Sequence, residues 1–145
     1  MIAVDTNVLV YALREESPWH AAATRRLREL AEGSGQWAIP APCLHEFLAV
    51  ATHPRIFSPP TPLALAIDFV EALLESPTLV VLSEGEGYWP ILHSLVRSSN
   101  VAGPKIQDAR VAALCLHNRV TELWSADRDF SRFPQLTARN PLMGG

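Results

Sequence analysis

Apolar residues recur along this chain in two spacings, short continuous blocks and longer stretches at helical intervals, and their alternation sets the expected fold. Ile2-Ala3-Val4 reads as a buried strand and Val8 to Arg14 as a short helix. Pro18 opens a longer helix through Trp19, Ala22, Ala23, Leu27 and Leu30, which Gly33-Ser34-Gly35 ends. Trp37-Ala38-Ile39 is the next strand; Pro40 and Pro42 break the chain, and a helix from Cys43 buries Phe47, Leu48, Val50 and Ala51 until His53-Pro54 stops it. The Pro-rich stretch Ser58 to Pro62 connects to an amphipathic helix, Leu63 to Leu74. Leu79 to Leu82 is wholly apolar, which predicts a central strand covered on both faces.

Gly85 and Gly87 lead into a helix from Tyr88 to Ser98, and Gly103-Pro104 precedes another over Ile106 to Asn118. Glu122 to Ala126 and a weaker Leu136 to Ala138 complete the strands. Strands alternating with helices predict a three-layer α/β/α fold around a parallel sheet of about four to five strands. No internal repeat or low-complexity block interrupts the pattern.

That layout gives four acids a common address. In βαβ units strand C-termini and helix N-termini share one edge of the sheet, where open α/β sheets place their ligand crevice. Asp5 follows the first strand, Glu46 lies early in the helix from Cys43, Asp108 sits in the opening turns after Pro104, and Asp127 follows the strand at Leu123-Trp124-Ser125. Each also has a plainer reading: Asp5 and Asp127 as caps of short helices, Glu46 and Asp108 as complements to helix dipoles.

The 145 residues, 48% hydrophobic, suffice for one well-buried core and predict a single domain over residues 1–145. Cys43 and Cys115 lie in apolar helical patterns, as buried thiols of a reducing, cytosolic setting. Neither a signal peptide nor a membrane anchor is indicated, because Asp5 interrupts the first apolar run and Asp68 and Glu71 interrupt later ones. The formal charge of −3 argues against nucleic acid only as an average; with the four clustered acids neutralised by cations, the rest carries +1. Eleven of the twelve basic residues are arginine, suited to bidentate phosphate contacts, so a nucleic-acid substrate is permitted.

Ionised carboxylates brought within 4 Å repel by roughly 4 kcal/mol per pair at an effective dielectric near 20, so such a site must protonate or recruit cations. Hard divalent ions such as Mg²⁺ and Mn²⁺ prefer oxygen ligands and keep waters for chemistry. His20, His45, His53, His93 and His117 show no zinc-ligand spacing. An oxygen-only site that retains water suits phosphodiester hydrolysis. Asp129 is a further candidate, as a direct or water-mediated ligand or as a partner of Arg128 or Arg132. Thr6, Asn7 and Ser125 are candidates to orient the carboxylates by hydrogen bonds, beside ordinary turn roles. Lys105 and Arg128, ahead of Arg110 and Arg132, are the expected phosphate contacts. Trp19, Trp37, Trp89 and Trp124 sit inside apolar patterns and are expected as core or interface anchors.

The segments Val4-Asp5-Thr6-Asn7-Val8-Leu9, Leu44-His45-Glu46-Phe47, Asp108-Ala109 and Leu123-Trp124-Ser125-Ala126-Asp127-Arg128-Asp129-Phe130 resemble the PIN domain, and more narrowly the VapC toxins of bacterial toxin–antitoxin pairs. The resemblance runs from Ile2 to Leu142 with the motifs in the family's order. It implies a Mg²⁺- or Mn²⁺-dependent endoribonuclease acting on RNA, with Asp5, Glu46, Asp108 and Asp127 as its acidic quartet. It also implies a homodimer and a VapB-like antitoxin whose C-terminal segment lies across the groove, against the helices around Trp19 to Leu30 and Leu44 to Ala51. Alternatives are a PIN-type nuclease that processes RNA or cuts DNA without an antitoxin, and a non-catalytic signalling or interaction domain. A response-regulator-like site is disfavoured because Ser83-Glu84, not an aspartate, follows Leu79 to Leu82, and Lys105 is the only lysine.

Overall fold

A computed structural model describes residues 1–143; Gly144 and Gly145, the end of the expected single domain, lie outside the described residues. Strands β1 (Ile2–Val4), β2 (Trp37–Pro40), β3 (Leu79–Leu82), β4 (Glu122–Trp124) and β5 (Ala138–Arg139) form one sheet in the order β3-β2-β1-β4-β5, parallel throughout. Ile2 pairs with Trp37 on one side and Glu122 on the other, so β1 is central. The helices are α1 (Thr6–Leu13), α2 (His20–Glu32), α3 (Ala41–Ala51), α4 (Leu63–Leu74), α5 (Tyr88–Ser99) and α6 (Lys105–His117). They pack as α1 with α2 and α3, α3 with α4, and α5 with α6, giving the expected three-layer α/β/α fold.

Burial follows from composition at each level. The central strands contribute Ala3, Val4, Ala38, Ile39 and Leu123, none of them reached by solvent. In α6 the run Ala109 to Cys115 is buried except for Arg110, and its small alanines allow close approach to the sheet. Phe47 of α3 stacks on Phe69 of α4 with ring centroids 5.2 Å apart. The Pro-rich connection is held by Arg14, whose guanidinium donates to the Pro59 carbonyl and the Thr61 hydroxyl, both at 3.1 Å, and lies 4.2 Å from the Phe57 ring centroid.

One expectation changes here and another divides. β3 is an edge strand, not a central one, and Val81 is exposed. An all-apolar block of four residues reports that something covers most of it, but carries no information about strand order. Trp19 and Trp89 are exposed, at 39% and 66%, whereas Trp37 and Trp124 are buried. Trp19 precedes α2 in a turn and Trp89 occupies the first turn of α5, so helical spacing did not place either on a core face.

Several boundaries also move. α1 begins at Thr6 because the Asp5 carboxylate accepts the Thr6 N–H at 2.8 Å and caps it. α3 begins at Ala41, with Pro42 in the first turn, where a missing N–H costs no helical hydrogen bond. β4 ends at Trp124, and β5 forms at Ala138–Arg139 instead of Leu136 to Ala138. Gly103, at φ +59°, turns the chain into α6 through the left-handed region, which favours glycine.

Candidate functional site

Asp5 extends the central strand: its N–H donates to the Trp124 carbonyl at 2.9 Å, which ties the ends of β1 and β4 together. The side chain is buried, and both carboxylate oxygens have donors. Oδ1 accepts from the Thr6 N–H at 2.8 Å and the Cys43 thiol at 3.4 Å; Oδ2 accepts from the Ser125 hydroxyl at 2.7 Å and the Asn7 amide at 3.3 Å. Asn7 also donates to Ser125 Oγ at 3.2 Å and accepts the Ala126 N–H at 3.0 Å, bridging the turns after β1 and β4.

Asn7 and Ser125 therefore stand where their orienting role was expected. Thr6 contributes through its backbone instead, because its hydroxyl donates to the Cys43 carbonyl at 3.4 Å. Cys43 was expected only as a buried thiol; its contact with Asp5 was not read from the sequence. Its position one helical turn before Glu46, on the first turn of α3, was the available signal.

Past β4, the Asp127 N–H donates to Ser125 Oγ at 3.0 Å, and Asp127 Oδ1 accepts the Asp129 N–H at 2.8 Å. This caps a 3-10 turn, Arg128–Arg132. The capping readings of Asp5 and Asp127 are thus both realised, on carboxylates that also face the crevice. Asp108 enters from the first turn of α6. Carboxylate oxygens of Asp108, Asp127 and Asp129 all lie within 4.8 Å of one another. Asp5, Glu46, Asp108 and Asp127 line one crevice of about 560 Å³. Glu46 is exposed at that crevice on α3, outside the tight group.

The electrostatics follow from crowding. Burial raises the Asp5 carboxyl above its ordinary value, against the lowering effect of the Ser125, Thr6 and Cys43 hydrogen bonds, and the Asp127 charge raises it further. Burial also raises Asp108, followed by the charge of Asp127. Asp129 goes the other way, because the Lys105 ammonium is bonded to Asp129 Oδ2 and holds the carboxyl low. The ion partner of Asp129 is therefore Lys105, not Arg128 or Arg132; Arg132 acts on it only as a nearby charge. Lys105, expected on phosphate, is engaged within the cluster. Arg110 pairs with Glu84 at 2.9 Å, and Arg128 is exposed.

The donor set fits a hard divalent cation: three converging carboxylates, oxygen donors only, and neighbours that fix their orientation. His45, exposed on α3, is the only histidine among the described residues lining the crevice. The apolar wall comes from Val10 and Tyr11 of α1, Val50 of α3, and Phe57. Among the described residues that line it, none belongs to α2.

Comparison with known proteins places this geometry in a family. The model of the PIN domain matches residues 2–136. Ribonuclease VapC43 of Mycobacterium tuberculosis is 40% identical over 144 residues, covering 99% of this chain and 97% of its own. Among solved structures, VapBC2 from Rickettsia felis, bound to a DNA fragment from its promoter, superposes with a TM-score of 0.70 at 19% identity, covering 97% of this chain and 98% of that one. A toxin–antitoxin complex from Klebsiella pneumoniae gives 0.65 at 18% identity, again covering 97% and 98%. With the acids at the C-terminal edge of a parallel sheet and the family pattern matched along nearly the whole length, the chain belongs to the PIN-domain family.

Proposed function

We propose that this protein is a divalent-metal-dependent endoribonuclease and the toxin of a toxin–antitoxin pair, working as a single domain. The observation that carries the reading is the convergence of Asp108, Asp127 and Asp129 beside buried Asp5, in a chain 40% identical to a VapC ribonuclease along its length. Asp5, Asp108 and Asp127 would hold Mg²⁺, or Mn²⁺ in its place, with Glu46 at the mouth of the crevice and Asp129 shared between the ion and Lys105. The chemistry such a cation supplies is activation of water and stabilisation of charge at the phosphate.

The chain's own residues set up that chemistry. Ser125, Asn7 and the Thr6 N–H hold the Asp5 carboxylate in one rotamer, so its lone pairs are directed before any ligand arrives. The Asp129 N–H does the same for Asp127. Arg128, exposed beside the acids, and Lys105, once released from Asp129, are the phosphate contacts. A VapB-like antitoxin segment lying against Val10, Tyr11, Val50 and Phe57 would exclude RNA from the crevice. Leu63, Leu65, Ile67 and Leu74 expose apolar surface along α4, which supports a homodimer. A cytoplasmic setting is supported by two free, buried cysteines; no helix among the described residues is long and apolar enough to cross a membrane.

The test is cleavage of RNA by the purified protein with Mg²⁺ or Mn²⁺, with chelator, and after Asp108→Asn. Cleavage that needs the ion and is lost in the variant is the expected result. Cleavage that persists in chelator, or in the folded variant, overturns the assignment.

A further inference from the structure

A second crevice, of about 740 Å³, opens beside the first, and Asp127 lines both. Its walls come from the turn after β4, the 3-10 turn and the stretch from Leu136 to Asn140. The two differ in charge. The first is lined by four acids against Arg110, which Glu84 already neutralises. In the second, the charged residues other than Asp127 are Arg128 and Arg139, and Ser131 and Asn140 add polar groups.

Both guanidinium groups are available. Arg128 is exposed and has no hydrogen bond or ion pair among the described residues. Arg139 is half exposed and reaches Glu122 at 3.4 Å, an acid that also accepts the Trp124 indole N–H at 2.6 Å. An exposed pair of that length is weak and yields readily to a phosphate. The crevice's aromatic side chains, Phe130 and Phe133, are buried in the core and offer no open face for a base to stack on.

We propose that the Arg128–Arg139 crevice holds backbone phosphates of the RNA strand flanking the scissile bond and leads that strand across Asp127 into the carboxylate crevice. This rests on the ribonuclease reading and adds a substrate path to it. A polyanion approaching four acids needs a cationic flank next to them, and arginine forks match phosphate oxygens in pairs. With both phenyl rings buried, the crevice acts through its two guanidinium groups on phosphates and supplies affinity and register.

The experiment measures binding of a fluorescein-labelled, mixed-sequence single-stranded RNA by anisotropy across a salt series, in an Asp108→Asn background that does not cut it. Arg128→Ala and Arg139→Ala are each expected to weaken binding of different sequences alike and to lower the slope of log K against log salt by about 0.7 for each phosphate no longer neutralised. Arg128→Lys and Arg139→Lys keep the charge and should keep the slope. Arg97→Ala, in the last turn of α5, should change nothing. Unchanged slopes in the alanine variants, while the parent protein cuts RNA in Mn²⁺, overturn the path and leave the activity standing. Loss of antitoxin binding with RNA slopes intact assigns the surface to the antitoxin and also overturns it. A parent that neither binds nor cuts RNA overturns both readings.

Discussion

The Ser125 hydroxyl donates to Asp5 Oδ2 at 2.7 Å across a sequence separation of 120 residues, and accepts from the Asn7 amide and the Asp127 N–H. One donor and two acceptor sites are all a hydroxyl has, so the proton is committed to the carboxylate. Ser125→Ala is expected to destabilise the fold by about 1–3 kcal/mol in urea denaturation. Through the lost orientation of Asp5, Mn²⁺ affinity should fall about 10–100-fold by titration calorimetry. Unchanged affinity in a folded variant would show that the Ser125 hydroxyl does not support the site.

Asp108 sits among like charges, and its carboxyl is raised by burial and by Asp127. Asp108→Asn removes one of those charges. The variant should melt higher than the parent in chelator, and lose both the metal-induced rise in melting temperature and RNA cleavage. A metal-free variant that melts well below the parent would place Asp108 in a structural role instead.

The pH dependence of metal-free stability has a definite sign. Asp5 and Asp108 titrate above the ordinary value of 3.8 in the native state, so that state binds more protons than the unfolded chain over the window between the two values. Their contribution to stability is fully present below the ordinary value and is lost as pH rises through the raised ones. Asp129 is shifted in the opposite direction, but its side chain is 39% exposed and its pair with Lys105 is screened by solvent. Urea unfolding in chelator should therefore show stability falling with pH across that window. Excess Mn²⁺ should reverse the trend, because the ion binds deprotonated carboxylates. A metal-free stability that climbs through the same window contradicts the crowding of these acids.

Metal binding to the native state alone should add about 2.7 kcal/mol at a hundredfold excess over the dissociation constant. Calorimetric scans with Mg²⁺, Mn²⁺ and chelator check it, and coincident melting in all three counts against a cation site.

The apolar stripe on α4 has a direct readout. Leu63, 59% exposed and on one helix face with Ile67 and Leu74, should lie within the homodimer contact, so Leu63→Glu should yield monomers by light scattering at concentrations where the parent is a dimer. A parent that is monomeric under those conditions removes the α4 interface.

Much of the architecture was legible because hydrophobic spacing is local. The alternation of blocks at Ile2 to Val4, Trp37 to Ile39 and Leu79 to Leu82 with helical stretches defined the order of elements, and order in a parallel α/β chain already sends Asp5 and Asp127 to one edge. Harder to read were residues whose meaning depends on a partner. Lys105 has the charge of a phosphate ligand, but its ion pair with Asp129 forms only in the fold. Cys43 reads as core from its apolar helical pattern, and its spacing from Glu46 puts it near the site without naming Asp5 as the partner of its thiol. Trp89 fits a helical pattern but faces solvent.

The sequence by itself determined the class of fold, the edge of the sheet that carries the acids, and the oxygen-only chemistry of the site, since burial periodicity and ligand type are properties of short segments. Only the tertiary structure decided that β3 lies at the edge, that Asp129 joins Asp108 and Asp127 while Glu46 stays at the mouth, and that Ser125 and Cys43 close on Asp5. Those outcomes depend on sheet register and helix packing, which bring together side chains far apart in the chain, and no local spacing encodes such a distance.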